Sequence, residues 1–399
     1  MTVCRYLIKS LIHGMMVKLV LKLLRGFFMK TKSIILTIIL GIFYPFSLTL
    51  RVKKNRITFI SLEHDNLSKD FKLIYDRLKK KDQYELRTVL FKFESSLWGN
   101  IKYGYACIRQ LFLIESSRLV IIDYNNFVVS KFPHRKNVKV LQLWHATSAL
   151  KKFGNDVERD YIVNHYDYTI VNSDFLKPIF ARAFNVIEDQ VFVTGIPNND
   201  KIFDQNFVDL TCQRLVGKYP LLKGKKIITY APTFRGRIST HFKEALIDLE
   251  KIHQAIGNDY IVIYKSHPLI QHSNYEKNEH VLYIQDELIS SLFCVTDILV
   301  TDYSAIAIDW MVFNKPIIAY SPDLMTYSHK PGFTIDYENE FPGQVTKNED
   351  ELIKAIIAVN DETESDDLKR QLFTDKMYKF RDGKSTDRVL DLIESIMRG

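Results

Sequence analysis

From about residue 56 to 320 the chain repeats one alternation: a short apolar run rich in Val and Ile, then a longer stretch whose apolar positions recur at helical spacing. Runs this brief suit strands buried on both faces, and their alternation with amphipathic segments is the pattern of parallel strands joined by crossover helices. The pattern predicts strands over 56–62, 119–123, 138–143, 167–171 and 190–194, then a second series over 226–230, 260–265, 298–301 and 316–320. Between the series, residues 200–223 read as helix and close on Tyr219, Pro220, Leu221, Leu222, Lys223 and Gly224, which marks a domain boundary. The expected organisation is an N-terminal segment over 1–54, an α/β domain over 55–205, a second over 206–370, and a charged helix over 371–399 in position to pack back on the first domain.

The N-terminal segment departs from that rhythm. Over 6–28, Leu7, Leu11, Val17, Val20, Leu21 and Leu24 alternate with Lys9, Lys18, Lys22 and Arg25 as on a helix lying in a headgroup plane. Residues 33–50 then run 18 positions without a charge and are closed by Arg51, Lys53, Lys54 and Arg56, with Pro45 inside the run. That length is at the lower edge of a membrane span, and the proline argues against a straight crossing, so an interfacial or half-inserted anchor is expected, with a true span as the alternative. The first 56 residues hold 11 Lys and Arg and no acid, against a net charge of +8 for the whole chain, so the remainder carries about −3. Basic character thus belongs to the leader. It points to an anionic membrane surface and not to nucleic acid.

The body, roughly 345 residues, is too long for one simple core and suits two domains. Cys4, Cys107, Cys212 and Cys294 are scattered, with neither metal spacing nor a disulfide framework, so the reaction is expected on the cytoplasmic side of the membrane. No G-x-x-x-x-G-K-[ST] loop and no Rossmann glycine triplet is present, which disfavours ATPase and NAD chemistry. Trp98 and the 91–93 run read as core.

Polar residues concentrate where the predicted strands end, the place where open parallel sheets bind ligands. The 138–143 strand empties into Trp144, His145, Ala146 and Thr147, and the next into Asn172 and Ser173. In the second half the strands lead to Pro232, Thr233, Phe234 and Arg235, to Ser266, His267 and Pro268, and to Asp302, Tyr303 and Ser304. Two sheets so decorated would face each other across a cleft.

These runs carry a resemblance. Gln142-Leu143-Trp144-His145-Ala146 followed by Ala149-Leu150-Lys151-Lys152-Phe153-Gly154 is similar to the histidine motif of the CDP-glycerol glycerophosphotransferases of teichoic acid synthesis. So are Thr194-Gly195-Ile196-Pro197-Asn198-Asn199-Asp200, the 230–236 run, Lys265-Ser266-His267-Pro268 and the 301–309 run, in the family's order. The His-Ala form, in a chain with a short N-terminal anchor, looks most like the family's glycerol-phosphate priming members. The resemblance implies a GT-B-like arrangement of two Rossmann-like domains facing a cleft, CDP-glycerol as donor, and an undecaprenyl-diphosphate-linked ManNAc-GlcNAc acceptor. It also implies a peripheral or monotopic place at the cell membrane.

The chemistry that this implies is attack of a sugar hydroxyl on the glycerol-bearing phosphorus, with CMP as leaving group. His145 is the expected base, a core histidine being the alternative. His267, from the opposite domain, would stabilise the transferring phosphoryl group or assist CMP departure, with Lys265 beside it. Thr301, Asp302 and Ser304, at a strand end that opens a helix, would offer amides and a hydroxyl to phosphate; Ala305 stands where relatives often have a second serine. Arg235 would clamp phosphate in the bidentate way that lysine cannot. Asp309 would orient the ligand or solvate the helix, and Lys330 precedes a proline, Pro331, where relatives show arginine. No residue cluster reads as a fixed metal site and no tightly bound cofactor is expected; Mg²⁺ would assist the pyrophosphate without dedicated protein ligands. Ribitol in place of glycerol, a later step of the same pathway, sugar transfer from a nucleotide sugar, and a non-catalytic membrane-surface protein stay open as alternatives.

Overall fold

The computed structural model describes residues 33–67, 69–93, 96–147, 150–233, 247–266, 280–361 and 363–399. The expected helix over 6–28 lies outside them. Two six-stranded sheets, every strand pair parallel, follow one another along the chain. The first contains β1 (Lys53–Ser61), β2 (Glu85–Leu90), β3 (Ser117–Ile122), β4 (Lys139–Gln142), β5 (Tyr168–Val171) and β6 (Val191–Val193), in the order β2-β1-β3-β4-β5-β6. The second contains β7 (Lys226–Tyr230), β8 (Tyr260–Tyr264), β9 (Val281–Tyr283), β10 (Ile298–Thr301), β11 (Ile317–Tyr320) and β12 (Gln344–Thr346), in the order β12-β11-β10-β7-β8-β9. In each sheet the chain reverses its direction of winding once, between β1 and β3 in the first and between β7 and β10 in the second. Those two points are where an α/β sheet opens a crevice at its carboxyl edge.

Central strands are buried on both faces, which is why they show as unbroken apolar runs: all five residues of β8 and all four of β10 are buried. The C-terminal helix Ser385–Arg398 leaves the second half and lays Val389, Leu390, Ile393 and Ile396 against Ile57, Phe59, Leu119 and Ile121 of the first sheet. Asp200 fixes its start, accepting from the Ser385 and Thr386 amides at 2.8 Å each and from the Thr386 hydroxyl at 2.6 Å. This helix therefore ties the end of the chain to the Thr194–Asp200 turn. A second tie is the antiparallel bridge between Lys151 and Phe333, flanked by Lys152 N to Gly332 O at 3.0 Å and Thr334 N to Leu150 O at 2.9 Å.

Residues 33–47 form a helix, and among the described residues no helix is long and apolar enough to cross a membrane. One side of it rests on the first domain through buried Leu40, Phe43 against Phe112 and Tyr44 against Phe132. Among the described residues nothing covers the other side: Ile34, Ile38, Ile42 and Phe46, four residues apart, are 59–62% exposed. Helix Leu97–Ser116, which supplies Phe112, adds Trp98, Ile101 and Tyr105 on one exposed stripe. Trp98 is 71% exposed, so its expected place in the core is corrected. It sits in the first turn of a helix whose opposite side already supplies the packing.

Candidate active site

In the second domain the ends of β7 and β10 are fastened to each other. Asp302, buried, accepts from the Thr233 amide at 2.9 and 3.1 Å and from its hydroxyl at 2.9 Å, while the Thr301 hydroxyl donates to Ala231 O at 2.7 Å. Tyr337 donates to the Asp302 carbonyl at 2.8 Å. These bonds turn the Thr301 and Asp302 side chains into the fold. What they project into the cleft is the next segment, Ser304 to Ile306, which opens the short helix Ile306–Trp310.

In the first domain β4 ends in a turn that only one conformation of Trp144 allows. Trp144 is buried against Phe153 and Phe184 and takes φ +63°, a left-handed backbone that L residues adopt at a cost of about 1–2 kcal/mol. Gln142, fully buried, bridges the two neighbouring strand ends: its amide donates to Tyr124 O at 3.0 Å and its carbonyl accepts from Trp144 N at 2.8 Å. The result is to lay the His145 imidazole flat on Tyr124, with centroids 4.1 Å apart and planes 7° apart. The Asp123 carbonyl lies near the ring and favours its protonated form. Enclosure by these groups, with a smaller contribution from nearby Lys69, pushes the imidazole down to about 4, although one edge of the ring stays open to the cleft. A neutral imidazole keeps a lone pair on one ring nitrogen.

The two constructions meet. A cavity of about 230 Å³ is lined by His145, Thr147, Asn198, Asn199 and Lys201 from one side and by Ser304, Ala305, Ile306 and Asp309 from the other, with Leu288, Ile289 and Ser290 at its edge. Asp309 is its hinge point: it accepts from Asn199 at 2.8 Å and from the Tyr378 hydroxyl at 3.2 Å, and Asn199 also donates to Thr147 at 2.7 Å. Burial raises the Asp309 carboxyl, and the hydrogen bonds from Thr147, Asn199 and Tyr378 oppose that rise. Two cations face the same space. Lys201 is held down by burial and by neighbouring Lys69, which lines the cavity as well. Asp70, buried beside them, is raised to about 6 by its burial although it accepts from Asn198 N at 2.7 Å.

Of the residues singled out from the sequence, His145, Ser304 and Asp309 share this cavity. Thr301 and Asp302 lie behind it. Lys265 does not line it; its ammonium donates to Gln285 O at 2.6 Å, and burial lowers its pKa. Lys330 pairs with Glu158 at 2.9 Å. Arg235 and His267 lie outside the described residues. Lys69, Asp70, Lys201 and Gln142 were not foreseen as site residues. The signal for the first two was available, because Ser61 to Asp65 is another polar strand end of the same kind.

Comparison with known proteins agrees with this geometry. Residues 42–395 match the family described as CDP-Glycerol:Poly(glycerophosphate) glycerophosphotransferase. The teichoic acid ribitol-phosphate primase of Bacillus spizizenii is 30% identical over 388 residues, 92% of this chain and 98% of that protein. The teichoic acid glycerol-phosphate primase of Bacillus subtilis is 29% identical over 304 residues, 73% of this chain and 77% of that protein. Among solved structures, the wall teichoic acid polymerase TagF superposes with a TM-score of 0.68 at 22% identity, covering 94% of this chain and 97% of the other, which speaks to the fold. A further structure of that polymerase is of a variant soaked with CDPG.

Proposed function

The chain belongs to the CDP-glycerol:poly(glycerophosphate) glycerophosphotransferase family, enzymes that transfer an alditol phosphate from a CDP-alcohol in teichoic acid synthesis, and from that premise we propose that this member primes the polymer. It adds glycerol phosphate from CDP-glycerol to an undecaprenyl-diphosphate-linked ManNAc-GlcNAc disaccharide and releases CMP. The observation that carries the reading is the single cavity into which His145 of the first domain and the Ser304–Asp309 turn of the second both open.

In the proposed reaction the acceptor hydroxyl oxygen forms a bond to the glycerol-bearing phosphorus as the bond from that phosphorus to the CMP oxygen breaks. The hydroxyl proton passes to the free nitrogen of His145, and CMP leaves with the bond's electron pair. His145 is neutral before the step and is stacked on Tyr124, so proton transfer needs no rearrangement of the ring. The helix start at Ser304 offers amides, and Lys69 and Lys201 offer positive charge, to the donor's phosphates. Incubating the full chain with CDP-glycerol and the lipid-linked disaccharide while measuring CMP tests the reading. Turnover is expected, and His145→Ala should lower kcat by about 10²–10⁴-fold. No CMP from wild-type protein refutes the donor, and an undiminished His145→Ala refutes the base.

We also propose that the protein works at the cytoplasmic face of the membrane, held by its uncovered apolar stripe and the cationic leader. The stripe Ile34, Ile38, Ile42, Phe46 is flanked by Lys30 and Lys32 before it and Arg51, Lys53 and Lys54 after it, the arrangement of an interfacial anchor on anionic lipid. A second donor reading has its own support: the ribitol-phosphate primase aligns with nearly the whole of both chains. Mass spectrometry of product made with CDP-glycerol and with CDP-ribitol on one acceptor separates glycerol from ribitol transfer.

A further inference from the structure

Behind His145 lies a second recess, of about 20 Å³, bordered by His64, Lys69, Asp70, Asp123, Tyr124 and His145 among others. Its position is the place where the first sheet reverses its winding, between the carboxyl ends of β1 and β3. Lys69, Asp70 and His145 border both this recess and the large cavity, so the two spaces adjoin at the imidazole. A volume near 20 Å³ admits one oxygen-sized group, a water or a single hydroxyl. The recess is also polar in a specific way: Asp123 is 6% exposed and its Oδ1 makes no hydrogen bond. The neighbouring Ser61 hydroxyl is near enough to lower the Asp123 pKa, yet it lies outside hydrogen-bonding geometry. Burial is the larger influence and raises this carboxyl to about 7. A buried acceptor left unpaired costs about 1–3 kcal/mol, so its retention one residue from the Tyr124 platform calls for a partner that arrives with the substrate.

We propose that this recess is the acceptor's specificity subsite: it takes the hydroxyl adjacent to the reacting one, which donates to the Asp123 carboxyl, and thereby presents the reacting hydroxyl to His145. The inference rests on the reading of His145 as the base and names the class of acceptor as one with vicinal hydroxyls, a sugar or a polyol terminus. An acceptor whose terminal unit lacks that one neighbouring hydroxyl would leave Asp123 unpaired in the complex and should be used poorly. The recess in that case selects by a missing hydrogen bond, which discriminates better than shape.

The test compares two acceptors, the lipid-linked disaccharide and its analogue deoxygenated beside the reacting hydroxyl, on wild-type chain and on Asp123→Ala and Asp123→Asn. Wild type should prefer the full acceptor by roughly 10- to 100-fold in kcat/KM, the range for leaving a buried hydrogen-bonding group without its partner. In Asp123→Ala the ratio should fall to within about threefold of unity, with Asp123→Asn between the two. The ratio is taken within each protein, so a partly folded variant does not distort it. Calorimetric binding of the two headgroups reads the same ratio if a variant does not turn over. Equal use of both acceptors by wild type overturns the proposal, as does a preference that survives Asp123→Ala; either result assigns the recess to a resident water. Absence of CMP release from wild type with the full acceptor is a different failure, that of the donor reading.

Discussion

Gln142→Met removes the clamp that sets the proposed base while keeping its volume. Gln142 is wholly buried, and its two hydrogen bonds, to Tyr124 O at 3.0 Å and from Trp144 N at 2.8 Å, satisfy one carbonyl and one amide at adjacent strand ends. Methionine satisfies neither. Each stranded group costs about 1–3 kcal/mol, so a destabilisation of about 2–6 kcal/mol is the ceiling if nothing moves. The chain has a way to relieve part of it, because Trp144 sits at φ +63° and returning it to an ordinary conformation recovers about 1–2 kcal/mol. That relaxation moves His145 off the Tyr124 ring, against which it now stacks at 4.1 Å. A displacement near 1 Å at the reacting group costs on the order of 100-fold in rate. The expected result is a loss of 10- to 100-fold in kcat with the KM for CDP-glycerol within twofold of wild type, since Gln142 bonds to none of the groups proposed to hold the donor's phosphates, Ser304, Lys69 and Lys201. Steady-state CMP release at varied CDP-glycerol, alongside urea unfolding, measures both consequences. A kcat within threefold of wild type in a clearly destabilised protein would refute the reasoning: stacking on Tyr124 would then hold the ring unaided.

Two other perturbations probe separate parts of the molecule. Asp123 has a folded-state pKa of about 7 against an ordinary 3.8, so the folded chain holds a proton there that the unfolded chain releases, and stability falls as pH rises from about 4 to 7. Asp123→Asn removes that penalty, and its melting temperature should exceed wild type by several degrees at pH 8, with the gap closing at pH 5; an equal gap at both would show that ionisation is not the cause. On the N-terminal helix, the pair Ile38→Asp and Ile42→Asp replaces two side chains about 60% exposed, each worth about 1.5–3 kcal/mol when buried in lipid. Sedimentation with vesicles containing anionic lipid should show at least a 100-fold loss of affinity, with turnover of a soluble acceptor analogue retained; unchanged sedimentation would mean that this stripe does not face the membrane.

The strands that the apolar pattern reveals are the interior ones and one edge strand, β6, which is anchored by buried Val191. Those it passes over, β2, β9 and β12, are all edge strands: Glu85–Leu90 has Val89 as its one buried residue, and β9 and β12 are three residues each. An edge strand is covered on less of its surface and shorter, so its composition carries less of the signal. The exposed stripe of Trp98, Ile101 and Tyr105 is hidden for the opposite reason, since large apolar residues in a helix give no sign of whether they face a core or a lipid surface. Within the site, His145 and Ser304 were legible because each follows a strand end, the place where parallel sheets expose functional groups, whereas Asp309, inside the helix Ile306–Trp310, was singled out by the 301–309 motif. Thr301 and Asp302 satisfy the same rule and yet point inward. Gln142 gave no such sign, because its work is done by two hydrogen bonds to main-chain atoms.

By itself the sequence determined two parallel α/β layers and an apolar, cation-flanked leader, because strands buried on both faces and helices buried on one impose periods that survive in the order of residues. Only the tertiary structure decided which polar residues face the cleft. That choice was made by contacts between distant parts of the chain, such as Thr233 with Asp302 across 69 positions and Asn199 with Asp309 across 110. A side chain at a strand end can turn inward or outward with equal local comfort. Whether a hydrogen-bonding partner from elsewhere in the chain meets it there settles which.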